Sequence, residues 1–209
     1  MNIIKTLNWR YATKSFDASK KIDGATLELL MESMRMAPTS YGLQQLRVIH
    51  IKNVELRKAI QVAGFDQPQI TEASDLFAIA VKKEVTAFDV EAFMNLLAQV
   101  RGVEVESLNP YKERVAGSIL TLSPEKQSEW LFKQAYILLG FLLETAALLE
   151  VDACPMEGFD KASVDKILNL DKFGLNVALL IPVGYRGSDD KYEKLPKTRL
   201  SKENFIIEL

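Results

Sequence analysis

The sequence has one cysteine, Cys154, and one histidine, His50. A single thiol excludes an intrachain disulfide and a thiolate-bound metal cluster, and it fits a reducing compartment such as the cytoplasm. A single imidazole argues against a histidine-built metal site or a catalytic triad. An excess of one charge is also lacking: 26 Lys and Arg stand against 28 Asp and Glu, for a net charge of −2. No global positive field favours nucleic acid, so an anion site would need local clustering. The opening MNIIKTLNWR has no long apolar region and no small-residue cleavage pattern, and it does not read as a signal peptide. The most apolar stretch, AYILLGFLLETAALLEV, is interrupted by Glu144 and falls short of the ~18 residues needed to span a bilayer. It reads as a core helix, and no membrane partner is expected.

What is present is ordinary for a globular chain: 209 residues, 48% hydrophobic and 26% charged, ample for a core. Residues 2–9 could form a short helix. Leu27, Leu30, Met31 and Met34 recur at helical spacing and predict a helix over 24–36, ended by Pro38. LRVIHI (46–51) reads as a strand, VELRKAIQVA (54–63) as a helix and LFAIAVK (76–82) as a strand buried on both faces. Helices are expected over 86–101 and 109–121, with a GVEVES loop between them. Ser123-Pro124 starts a long helix to about Leu149, with a hydroxyl at the N-cap and proline next. VDACP is a short strand, Asp160 caps a helix, and NVALLIPVG is a third buried strand. FIIEL at the end reads as one more strand, with no partner near it in sequence, and such a strand can pair with another subunit's sheet. With no repeat and no linker, residues 1–209 read as one α+β domain.

Five segments carry candidate chemistry. Arg10 and Lys14 stand four apart in NWRYATKSFDASKKI, and Lys197 and Arg199 two apart in KLPKTRLS. From spacing alone both read as solvated surface rather than as an anion clamp, in which Arg10 and Arg199 would offer planar forks to one phosphate. CPMEGFD is a turn between strand and helix, APTSYGLQQL a loop after a helix, and FDQPQITEAS a polar loop.

Taken in order, RYATKSFDASKKI, APTSYGLQ, QPQITEAS, EWLFKQAYILLGFLLETAALL, PMEGFD and LPKTRL resemble the FMN-dependent nitroreductase family, especially the oxygen-insensitive NAD(P)H nitroreductases, over nearly the whole chain. The resemblance implies an α+β nitroreductase-like fold, with a mixed, mostly antiparallel sheet flanked by helices and a C-terminal strand exchanged between the subunits of a homodimer. It implies tightly bound FMN at the interface and NAD(P)H as co-substrate. FMN phosphate carries about −1.5 to −2 charges, and the resemblance gives it to Arg10, Lys197 and Arg199, with the backbone at Tyr11 and Ala12. Lys14 would reach the pyrimidine edge of the isoalloxazine, where charge gathers on reduction, and stabilise the reduced form. Gln69, with Gln67 or Asp66, would bond the same edge. Pro155, Met156, Glu157 and Gly158 would line one ring face, with the Glu157 N–H aimed at N5. Thr39, Ser40 and Gly42 would come from the partner chain. Tyr41, Val115, Ala116 and Ile119 are the substrate-contact candidates.

The activity implied is ping-pong two-electron transfer from NAD(P)H to nitroaromatic, quinone or similar small electrophilic acceptors, with no protein nucleophile or base. Five positions depart from the family's common residues: Ala12 for serine, Gly42 for asparagine, Gln69 for lysine, and Gln45-Leu46 for Pro-Trp. His50, Cys154, Trp130 and Gln134 read as structural or interface residues. The alternatives are a same-fold enzyme of other reductive chemistry such as dehalogenation, a flavin-binding regulatory or storage protein without turnover, and a non-flavin interaction domain.

Overall fold

The computed structural model describes residues 3–209. Asp23 begins α2 (Gly24–Arg35) by accepting the N–H groups of Ala25 and Thr26 at 3.0 and 2.9 Å, which satisfies donors that a helix start leaves open. The helix buries Leu30 and Met34, two of the residues whose spacing predicts it. It follows α1 (Ile3–Trp9), a helix with no buried residue.

Three long strands and one short one form an antiparallel sheet in the order β1-β2-β4-β3. They are β1 (Leu46–His50), β2 (Asp75–Lys82), β3 (Asp152–Ala153) and β4 (Leu175–Gly184). A parallel bridge between Ala12 and Ala153 makes the pairing mixed. The central strands β2 and β4 are buried on both faces, as a continuous apolar run requires. Phe77, Ile79, Leu179 and Ile181 pack one face, while Leu76, Ala78, Ala80 and Leu180 pack the other. Full burial of each large apolar side chain contributes about 1.5–3 kcal/mol.

Helices cover both faces: α3 (Val54–Ala63), α4 (Gln69–Glu72), α5 (Ala87–Arg101), α6 (Asn109–Ile119), α7 (Pro124–Leu148) and α8 (Lys161–Ile167). Ser123 and Asp160 cap α7 and α8. Among the described residues α7 is the one helix long and apolar enough to cross a bilayer, more apolar as a whole than the run broken by Glu144 implies. It packs against α2 and the sheet, burying Leu131, Leu138 and Leu142, yet Tyr136, Ile137 and Phe141 remain exposed.

Two segments differ from the sequence-based expectation. QITE, read as polar loop, forms the single turn α4. FIIEL forms no strand: Phe205 closes a short helix, α9 (Lys202–Phe205), and residues 206–209 carry no regular structure. The physical reason is that one chain offers this segment no ladder, and a strand needs a neighbour for its backbone groups.

Candidate cofactor site

The segment leaving α1 is fastened to the sheet by a buried ion pair. Arg186, just past β4, places two nitrogens 3.0 and 2.7 Å from Asp152 Oδ1, and its own N–H reaches Oδ2 at 2.9 Å. The same Asp152 accepts the Thr13 hydroxyl at 3.2 Å, and Thr13 is fully buried. The Arg186 guanidinium lies 4.3 Å from the Trp9 ring centre and 4.7 Å from that of Tyr11, a stacked cation that fixes both aromatics.

Asp190 then joins this segment to the C-terminal one. Its Oδ2 accepts the N–H groups of Lys14 and Ser15 at 2.7 and 3.0 Å, and its Oδ1 accepts that of Tyr192 at 2.8 Å. Burial pushes its carboxyl up, but these backbone donors outweigh burial and hold it below the usual carboxylate range.

Between the two segments lies a cavity of about 540 Å³, lined by Arg10, Tyr11, Ala12, Lys14, Lys197 and Arg199 among others. Lys197 Nζ donates to the carbonyls of Leu7 and Arg10, at the end of α1, and Arg199 Nη1 donates to the Thr198 carbonyl at 2.7 Å. Among the described residues none of Arg10, Lys197 and Arg199 forms an ion pair with a carboxylate. Burial and then the Arg199 charge push Arg10 below its ordinary pKa, and burial followed by Arg10 and Arg199 does the same to Lys197. Three cations that repel one another around a cavity suit a multiply charged anion such as a phosphate monoester. The Tyr11 hydroxyl is enclosed without a hydrogen-bond partner, and its pKa is pushed up to about 12, by burial first and then by Asp190.

Lys14 connects this cavity to a second polar group. Its Nζ donates to Cys154 Sγ at 3.3 Å. The Cys154 thiol is fully buried and pushed up by burial, with Lys14 pulling the other way. Gln69 is buried and donates to Gln67 Oε1 at 3.1 Å, while Gln67 Nε2 donates to the carbonyls of Gly64 and Gly158 at 2.9 and 2.7 Å. The turn before Gln67 holds Phe65 and Asp66 at φ 58° and 56°, a left-handed pair that L residues seldom adopt. Lys14, Gln67, Gln69 and the turn after β3 are thereby brought to one place. Pro155, Glu157 and Gly158 remain at least partly open there. Met156 does not: its backbone bridges Leu180 and its side chain is buried, so its contribution to a ring face is confined to the main chain.

The remaining candidates lie elsewhere in the chain. Gln134 of α7 accepts the Ser40 N–H at 2.8 Å and so holds the turn Ser40–Gly42. Gly42 has φ +71°, and a Cβ there would meet the Phe93 ring at 3.3 Å, so any larger side chain at this position would crowd that ring. Thr39 lines a separate groove of about 280 Å³ with Met31, Met34, Leu46, Val48 and His50. Thr39, Ser40, Tyr41 and Gly42 do not line the cation cavity of their own chain. Val115 and Ile119 are buried in the apolar core and Ala116 is half-buried, so in the single chain the first two serve packing and only Ala116 is partly open. Sequence reasoning missed Asp152, Arg186, Asp190 and Arg57, whose partners stand far off in sequence or are main-chain carbonyls.

An antiparallel α+β fold carrying a cation cavity beside a lysine and paired amides defines a class suited to a phosphorylated, aromatic cofactor. The chain belongs to the Nitroreductase family, whose profile matches residues 7–185. A Staphylococcus epidermidis protein named "Putative NAD(P)H nitroreductase" is 31% identical over 202 residues, 92% of this chain and 91% of that protein. The crystal structure of a "putative nitroreductase" from Bacillus subtilis superimposes with TM-score 0.85 at 17% identity, covering 99% of this chain and 97% of the other. One from Exiguobacterium sibiricum, solved in complex with FMN, superimposes with TM-score 0.83 at 16% identity, covering 100% of this chain and 98% of the other.

Proposed function

We propose that this chain is an FMN-dependent oxidoreductase that carries two electrons from NAD(P)H to nitroaromatic, quinone or similar small electrophilic acceptors in ping-pong order. It would work in the cytoplasm as a homodimer of single-domain subunits. The observation that carries the reading is the cavity in which Arg10, Lys197 and Arg199 face one another without a carboxylate, with Lys14 leading from it to Gln69. The FMN complex of the Exiguobacterium sibiricum relative adds support.

Bound FMN supplies hydride acceptance and donation at N5, so the protein needs no nucleophile or base of its own. Arg10, Lys197 and Arg199 bind the phosphate, and the Tyr11–Ala12 backbone shapes that end. Lys14 holds a positive charge at the pyrimidine edge, where Gln69 and Gln67 place neutral amides. Pro155, Glu157 and Gly158 supply one wall, and the Glu157 N–H, which has no acceptor within the described chain, is free to donate there. Tyr41 and Ala116 remain the candidates for acceptor contact.

Assembly of two copies is supported by apolar surface that one chain leaves open. Tyr136, Ile137 and Phe141 on α7 are exposed, as are Leu200, Phe205, Ile206, Ile207 and Leu209 in the tail. Among the described residues β1 is an unpaired sheet edge, and it borders the groove that contains Thr39, which supports it as the edge that receives a second copy's tail. Purification tests the whole reading. We expect a yellow dimer with flavin and subunits in equal number, bleached by NADH or NADPH without oxygen and recoloured by a nitroaromatic. A colourless monomer overturns it, and a yellow dimer that no nicotinamide reduces favours the storage or regulatory reading.

A further inference from the structure

α4 has four residues, Gln69–Glu72, and its first residue is the amide placed at the ring edge. A single helical turn does not persist by itself, because fixing its dihedrals costs more than its few hydrogen bonds return. Arg57 of α3 meets this turn at its carbonyl end. Its Nε donates to Ile70 O at 2.9 Å, Nη1 to Ser74 O at 3.1 Å, and Nη2 to Thr71 O at 3.2 Å and Ala73 O at 2.6 Å. The guanidinium is buried and, among the described residues, forms no ion pair with a carboxylate. Its charge is answered by carbonyl dipoles at a helix C-terminus, where a cation is favoured, and by the more distant Asp75. A planar fork with five donors suits four carbonyls that wrap around one point, whereas an ammonium cannot reach all four. On the far side Thr71 Oγ1 donates to Gln61 Oε1 at 3.2 Å, a second tie from α3.

We propose that Arg57 is a positioning residue for the cofactor site: it closes α4 before any ligand arrives and so holds Gln69 beside Lys14 and Cys154. This rests on the FMN reading and concerns the ring end of the site, not the phosphate end.

The test separates the two ends by comparing FMN with riboflavin, which lacks the phosphate. Arg57→Lys should weaken both flavins by one common factor of roughly three- to tenfold, the equivalent of losing about one hydrogen bond. Placed on Gln69→Ala, it should add nothing, because its route to the flavin is gone. Full additivity of the two substitutions, or loss of FMN affinity with riboflavin unchanged, would overturn the proposal. Hydrogen exchange on the unsubstituted protein gives a second reading should Arg57→Lys fail to fold. The Thr71, Glu72 and Ala73 amides should be protected without flavin and change little when it is added. If they become protected only with flavin, the turn is made by the ligand and Arg57 does not pre-form it. If the unsubstituted protein binds neither flavin, it is the FMN reading that fails.

Discussion

The Lys14 ammonium stands 3.3 Å from Cys154 Sγ, while its own backbone N–H is held by Asp190. The residue is anchored at one end and directed at the other. A thiol is a weak acceptor, so two of the three ammonium donors stay available for a ligand, and no carboxylate pairs with the charge among the described residues. Lys14→Gln should therefore keep FMN but make it harder to reduce. At an effective dielectric near 20 a charge pair ~4 Å apart interacts by about 4 kcal/mol. Solvent reduces that to roughly 1–2 kcal/mol, or a drop of about 20–45 mV in the two-electron midpoint potential. A redox titration of both proteins checks it. An unchanged potential together with a large loss of FMN affinity would move Lys14 into the phosphate group.

The phosphate end is tested by contrast within the tail. Arg199 faces the cation cavity, whereas Lys202 opens α9 and lies outside it. Arg199→Ala should weaken FMN roughly tenfold or more, as the loss of a charge-assisted hydrogen bond implies, and leave riboflavin binding nearly as it was. Lys202→Ala should alter neither. Equal FMN affinities for the two variants would return Arg199 to the solvated tail.

Asp190 predicts a pH dependence of stability. Its folded pKa lies below the ordinary 3.8, so its contribution is fully present above the unfolded value and is lost as pH falls through the folded one. Asp190→Asn keeps one acceptor oxygen and loses the charge that three backbone donors face, so it should destabilise the protein at pH 7 by about 1–3 kcal/mol. Urea midpoints followed from neutrality into the acid range should draw together for variant and parent as pH falls below the unfolded value and through the lower folded one. Curves that stay parallel would show that Asp190 does not carry the charge-dependent contribution.

Local signals made most of this molecule legible in its sequence. Apolar spacing gave α2 and the buried strands β2 and β4, and side chains that cap helix starts gave α7 and α8. At the site, the resemblance implied Arg10, Lys14, Lys197 and Arg199, and the structure gathers these four around one cavity. What escaped is non-local. Asp152 meets Arg186 across 34 positions and Thr13 across 139, and nothing in sequence marks that pairing. Arg57 binds main-chain carbonyls, which every residue carries, so no motif could reveal it. Val115 and Ile119 are a different case: the resemblance offered them as substrate contacts, and the single chain packs both into its apolar core.

The tail offers the sharpest division between fold and assembly. Ile206, Ile207 and Leu209 are exposed in the single chain, with Ile207 at 84%, and none belongs to either core cluster. Removing residues 206–209 should therefore leave the subunit's own melting behaviour nearly intact. If these side chains seat on a second copy beside β1, each hides apolar surface that contributes up to about 1.5–3 kcal/mol. The dimer dissociation constant should then rise by at least about a hundredfold after entropic costs are deducted. Flavin affinity should fall with it and recover at high protein concentration, because Thr39, Ser40 and Gly42 would reach the cofactor only from the partner. Sedimentation velocity with absorbance read at a flavin wavelength follows both quantities in one run. An unchanged dimer carrying its full flavin after truncation would mean that the tail is ordinary solvated chain, and that the copies meet through the exposed face of α7 alone.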